Sequence, residues 1–162
     1  MNFIRNSLMT KYNVDKSFKN SFNIWQKNLF KTSIYISIIT IIVELLFLVF
    51  YINTGILDIS IDKYFSIFIL KPGIINLFFL LLGGFFTKQE KLTDEHKIII
   101  SMGLLIIIFS NLIVTHYVFP VLYAILIVPV FLSTIYASRS IEIKTFFLCF
   151  LGMVISFIFI EF

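Results

Sequence analysis

Apolar residues run in long blocks along this chain, separated by short polar clusters. A helix crossing a hydrocarbon core needs roughly 20 apolar residues. Five blocks reach or approach that length, at about 33–53, 64–86, 98–115, 118–137 and 145–160. The first is no cleavable signal peptide, because a long polar stretch precedes it and no small-residue cleavage site follows. Upstream, Phe18, Phe22, Trp25 and Leu29 recur at helical spacing, while Lys16, Lys27 and Lys31 point roughly the opposite way. That pattern predicts an amphipathic helix in the headgroup region with Trp25 as an interfacial anchor. The expected fold is all-α: a basic amphipathic segment over 1–32, then a polytopic transmembrane bundle of about five spans over 33–162.

Composition agrees. Of the 162 residues 59% are hydrophobic and 14% charged, and the mean hydropathy is +1.01. A soluble domain of this length needs more charge to cover its surface. The net charge of +4 does not point to nucleic acid, because the basic residues flank the apolar blocks and form no single basic face. With five alternating spans, eleven of the thirteen Lys and Arg fall on one side, in 1–32, 87–97 and 138–144. The positive-inside rule then places the N-terminus in the cytoplasm and residues 161–162 outside. Richness in Ile, Phe, Asn and Lys fits an AT-rich bacterial genome, so the expected location is a bacterial inner membrane. The single cysteine, Cys149, rules out an intramolecular disulfide.

Polar side chains inside the spans carry most of the chemistry, since each is costly in hydrocarbon. Ser33, Ser37, Thr40, Glu44 and Tyr51 form one stripe on the first span, which should face other helices. Glu44 needs a cationic or hydrogen-bonding partner to stay ionised there. Lys71 lies at a similar depth on the second span and is one conceivable partner; otherwise it snorkels to the headgroups. Pro72 distorts the turn beside it, and Asn76 shares a face with Gly83 and Thr87. On the third span Asn111 and Thr115 face the same way, and His116 follows at the outer boundary as a titratable sensor or an interfacial hydrogen-bonding residue. Pro120 suits the first turn of the next helix. Further on, Ser133 is placed to satisfy the carbonyl that Pro129 frees.

Glu44, Lys71, Asn76, Asn111 and His116 all fall in the outer half, where they outline a small cavity open to the exterior. The competing account is helix packing, helped by Gly83 and Gly84. No phosphate-binding loop, His-Glu-x-x-His, GxSxG elbow or paired-histidine metal spacing occurs. Catalytic residues, metal ligands and cofactors are therefore not expected.

The run 115–138, THYVFPVLYAILIVPVFLSTIYAS, together with Asn76 after Lys71-Pro72, resembles the N-terminal membrane domain that precedes GGDEF diguanylate cyclase domains in Gram-positive bacteria. His116, Pro120, Tyr123, Pro129 and Ser133 match its outline. The resemblance implies a sensory domain that passes an exterior signal inward through helix shifts. Members of that family carry a sixth span and a cyclase, and this sequence shows neither. The implied protein is thus a truncated or split sensor, or one that signals through a homo-oligomer or a cytoplasmic partner, with the bilayer as its other partner. The alternatives are a small transporter moving an ion or solute past Glu44 and Lys71, and a structural or immunity-type membrane protein.

Overall fold

The computed structural model describes the backbone of all residues except 1, 56–58, 117–119, 137 and 162, and the side chains of 21–55, 59–116, 122–136 and 138–159. In chain order its elements are α1 (Asn2–Thr54), α2 (Ile61–Tyr64), a π-helical turn (Phe65–Leu70), α3 (Lys71–Thr87), α4 (Asp94–Thr115), a 3-10 helix (Pro120–Leu126), α5 (Ile127–Thr134) and α6 (Arg139–Glu161). Among the described residues, four stretches are long and apolar enough to cross a membrane: Ser21–Thr54, Ile61–Thr87, Asp94–Thr115 and Arg139–Phe159. The chain forms the expected all-α bundle, and these helices support a multi-pass membrane protein.

Local signals set the helix ends. Gly55 closes α1 in the left-handed conformation, φ 67°, with its N–H bonded to the Tyr51 carbonyl at 3.0 Å. Ser60 caps α2 by accepting the Lys63 N–H. Thr93 caps α4 in the same way from His96, with Asp94 and Glu95 in the first turn, where the helix dipole favours acids. His96 is part of that first turn.

Helix order along the bundle follows from side-chain contacts. Glu44 of α1 meets His116 at the end of α4, while Leu29 clusters with Ile98 and Met102 near its start. So α1 and α4 run parallel. On α3, Asn76 pairs with Asn111 and Gly83 packs on Leu104, so α3 runs the other way. Glu95 binds Ser140 and Lys144 at the start of α6, and Ser156 donates to the Ser110 carbonyl at 3.5 Å; α6 is parallel to α4. The end holding His116 is here termed distal, because it lies far from the N-terminus; the other end is proximal.

The segment between α4 and α6 has no full-length helix, yet it travels the whole distance. Tyr123 stacks on Phe157 near the distal end, at 4.9 Å, whereas Tyr136 packs with Leu29, Ile98 and Ile141 at the proximal end. The 3-10 geometry explains how so few residues suffice. Seven residues at about 2.0 Å and eight at about 1.5 Å extend roughly 26 Å, close to the hydrocarbon thickness. The segment is short but stretched. Pro120 opens it, as expected for a residue lacking an N–H.

The segment 1–32 differs from expectation at its junction. It is helical but runs into the first span without a break, giving one helix of 53 residues, about 80 Å long. Phe22, Gln26 and Leu29 instead turn toward the bundle, while Trp25 is 44% exposed. Phe18 and the basic residues before it have side chains outside the described set.

Helix α4 is the central post, with Ile98, Met102, Leu105, Ile108 and Ile113 at 2% exposure or less. Around it, α1, α3 and α6 show long apolar faces outward, among them Leu46, Phe50, Leu81, Phe85, Phe147 and Phe159. Such continuous apolar exposure suits lipid and not water.

Candidate functional site

The polar stripe on α1 faces inward along its length. Ser33, Ser37 and Glu44 are buried, with Thr40 and Tyr51 half-buried. Ser33 and Thr40 return their hydroxyls to the carbonyls four residues back, at 3.1 and 2.9 Å. Glu44 has no such local option, so it draws partners from other helices.

Glu44 is 2% exposed, and both of its oxygens are engaged. Oε1 lies 2.9 Å from His116 Nε2, and Oε2 accepts from the Tyr64 hydroxyl at 3.0 Å. One carboxylate thus ties α1, α2 and the C-terminal cap of α4. Aromatic rings wall the joint. Tyr64 stacks on Phe68 at 4.7 Å and meets Tyr51 edge-on at 5.9 Å, and Phe68 tilts onto His116 at 5.6 Å.

His116 sits just beyond the last turn of α4, its N–H bonded to the Leu112 carbonyl at 3.0 Å. The hydrogen bond to Glu44 raises its pKa above the ordinary histidine range, against the opposing effect of burial. Its Nδ1 is buried with no hydrogen-bond partner among the described residues. The arrangement is a closed joint, not the expected open cavity, because the partners converge on the carboxylate instead of lining a space beside it.

A second, neutral pair lies deeper. Asn111 Nδ2 donates to Asn76 Oδ1 at 2.9 Å and to the Pro72 carbonyl at 3.1 Å, and Thr115 donates to the Asn111 carbonyl at 2.8 Å. Asn76 is 3% exposed. Replacing Asn111 with Ala removes the side-chain donor to the buried Asn76 Oδ1. We expect a loss of roughly 1 kcal/mol, within the range for interhelical hydrogen bonds in membranes, read as a lower unfolding midpoint in lipid–detergent micelles.

Three expectations are corrected. Lys71 is exposed and is not a partner of Glu44, whose nitrogen-bearing neighbour is His116. Ser133 donates to the Val130 carbonyl at 2.6 Å, not to the carbonyl that Pro129 leaves free. Finally, the five residues expected to share one cavity divide into the Glu44–His116 joint, the Asn76–Asn111 pair and the outlying Lys71.

Two participants were not anticipated as site residues. Tyr64 is 5% exposed; the signal available was a phenol in the first turn of an apolar block, which needs a partner once buried. Gln26 donates to Ser101 at 3.1 Å at the proximal end, where a lone amide in a basic stretch carries no comparable signal. No protein-family model matches the chain, and no curated protein or solved structure is significantly similar to it. Among the described residues no cluster of three or more His, Cys, Asp and Glu side chains could hold a metal.

Proposed function

We propose that this chain is a sensory domain of a bacterial cell membrane, reading an exterior signal at Glu44, His116 and Tyr64 and passing it inward as helix movement. The observation that carries this reading is the joint itself. Neutral pairs such as Asn76–Asn111 hold membrane helices together at small cost, whereas an ionisable pair in this setting is expensive and is the usual mark of a functional position. A carboxylate shared by three helices is also placed so that one change at its oxygens alters all three. The outline shared with membrane domains ahead of GGDEF cyclases supports the same reading. The concentration of basic residues toward the proximal end supports a cytoplasmic N-terminus. The partner would then receive the signal on the cytoplasmic side.

Spin labels at Lys27, Lys88 and Arg139, all exposed near the proximal end, test this in liposomes with Cys149→Ala as background. Glu44→Gln, roughly 25 Å from those labels along α1, is expected to change the distances among them. Unchanged distances with a modest stability loss would leave only a structural role. Solute or ion flux through the liposomes that disappears in Glu44→Gln would favour a transporter instead. For orientation, a reporter fused to the C-terminus is expected to be active outside and silent in the cytoplasm; the reverse overturns the topology.

A further inference from the structure

The turn that brings Tyr64 to Glu44 is π-helical. Over Phe65–Leu70 the hydrogen bonds reach back five residues, ending with the Lys71 N–H on the Ser66 carbonyl. Such turns are rare and cluster at functional sites. Two features hold this one. Pro72 has no N–H, and in an α register its ring would crowd the Phe68 carbonyl four residues back. At the other end, the Tyr64 hydroxyl is bonded to Glu44. Relaxing by one residue to an α register would rotate α2 by about 100° relative to α3. That rotation takes Tyr64 off the carboxylate.

We infer that the ligand of this joint is the proton and that the π turn is the part it moves: losing the His116 proton releases Tyr64 and lets α2 turn about α3. The inference rests on reading the joint as the signal input. The titratable groups facing it are Glu44 and Tyr51 from α1, Tyr64 from α2 and His116 from the end of α4; the π turn contributes Phe68, which carries no charge. No other charged side chain among the described residues bonds to these groups.

With His116 protonated, the buried pair is neutral overall. Without that proton, Glu44 loses its charged partner, and one tyrosine hydrogen bond offsets less than the desolvation of a buried carboxyl group. Tyr64 and Phe68 of the π turn lie against this joint, and their swinging aside would open the carboxylate to water. Both carboxylate oxygens already have partners among the described residues, which suits a proton better than a larger ligand. The sign follows from linkage. A histidine raised by its partner stabilises the closed state below its ordinary titration range, and that contribution is lost as pH rises through the raised value. The joint is closed at low pH and opens at high pH.

The full chain in liposomes tests this directly. The only other histidine is His96, so ¹⁵N-histidine spectra of His96→Gln report His116 alone. Its titration midpoint is expected above the ordinary histidine range, and Glu44→Gln should lower it. A pair of spin labels at Ile61 on α2 and Ile74 on α3, both exposed, should change separation with that same midpoint. Pro72→Ala restores the missing donor and should give the high-pH separation even at low pH. A label distance that stays constant while His116 titrates overturns the switch. That result leaves the sensory reading intact, because the proximal-end distances in Glu44→Gln test it separately. A His116 midpoint unmoved by Glu44→Gln overturns the proton as the ligand.

Discussion

Replacing Glu44 with Ala is expected to destabilise the bundle by about 3 kcal/mol, the scale for breaking a buried ion pair by removing one member. The substitution leaves the His116 ring and the Tyr64 hydroxyl without their acceptor in a setting that offers little water. Glu44→Gln keeps an oxygen for one donor and should lose about half as much. A double-mutant cycle separates the pair from its surroundings. If His116 and Glu44 act together, Glu44→Ala with His116→Ala should lose clearly less than the two single changes summed. Unfolding midpoints in lipid–detergent micelles provide the measurement, and simple additivity would show that the 2.9 Å contact carries no coupling.

The second large effect is expected at Gly83. A Cβ on this residue would meet Cδ1 of Leu104 and lie 2.8 Å from its Cδ2 and 2.9 Å from its Cγ. Leu104 is 4% exposed and has little room to give. Helices α3 and α4 therefore approach through the glycine in the small-residue manner of membrane interfaces. Gly83→Ala should destabilise by about 1–3 kcal/mol through overpacking, and Leu104→Ala in the same chain should recover part of that loss. Gly103 is the control on α4. A Cβ there meets nothing within 4 Å, so Gly103→Ala should be neutral or stabilise by up to about 1 kcal/mol from helix propensity alone. The same substitution thus has opposite signs at two positions. Finding Gly103→Ala the more damaging would overturn this account of the α3–α4 contact.

Much of the fold was legible because its causes are local. Hydrophobic blocks of sufficient length must be helical in a bilayer, where each backbone polar group has to be satisfied within its own segment. The spacing of Ser33, Ser37 and Glu44 put them on one face, and all three are buried. Asn111 and Thr115 turn inward together for the same reason. Elsewhere, competing local effects decided the outcome. No helix-breaking residue interrupts the junction at 30–35, so α1 continues straight through it. Pro120 opens a 3-10 portion that continues into α5, which lets a short segment cover a long distance.

What the sequence by itself determined is that Glu44 is an ionisable group inside an apolar helix, turned toward its neighbours and in need of a partner. Depth along the membrane made Lys71 a plausible one. The tertiary structure alone decided for His116 and Tyr64, because that choice depends on where three separate helices meet and not on position along any one of them. A π turn brings Tyr64 to the carboxylate, and the end of α4 brings His116. Periodicity reports which way a side chain points; only packing decides what it reaches, and so whether the joint is open or closed.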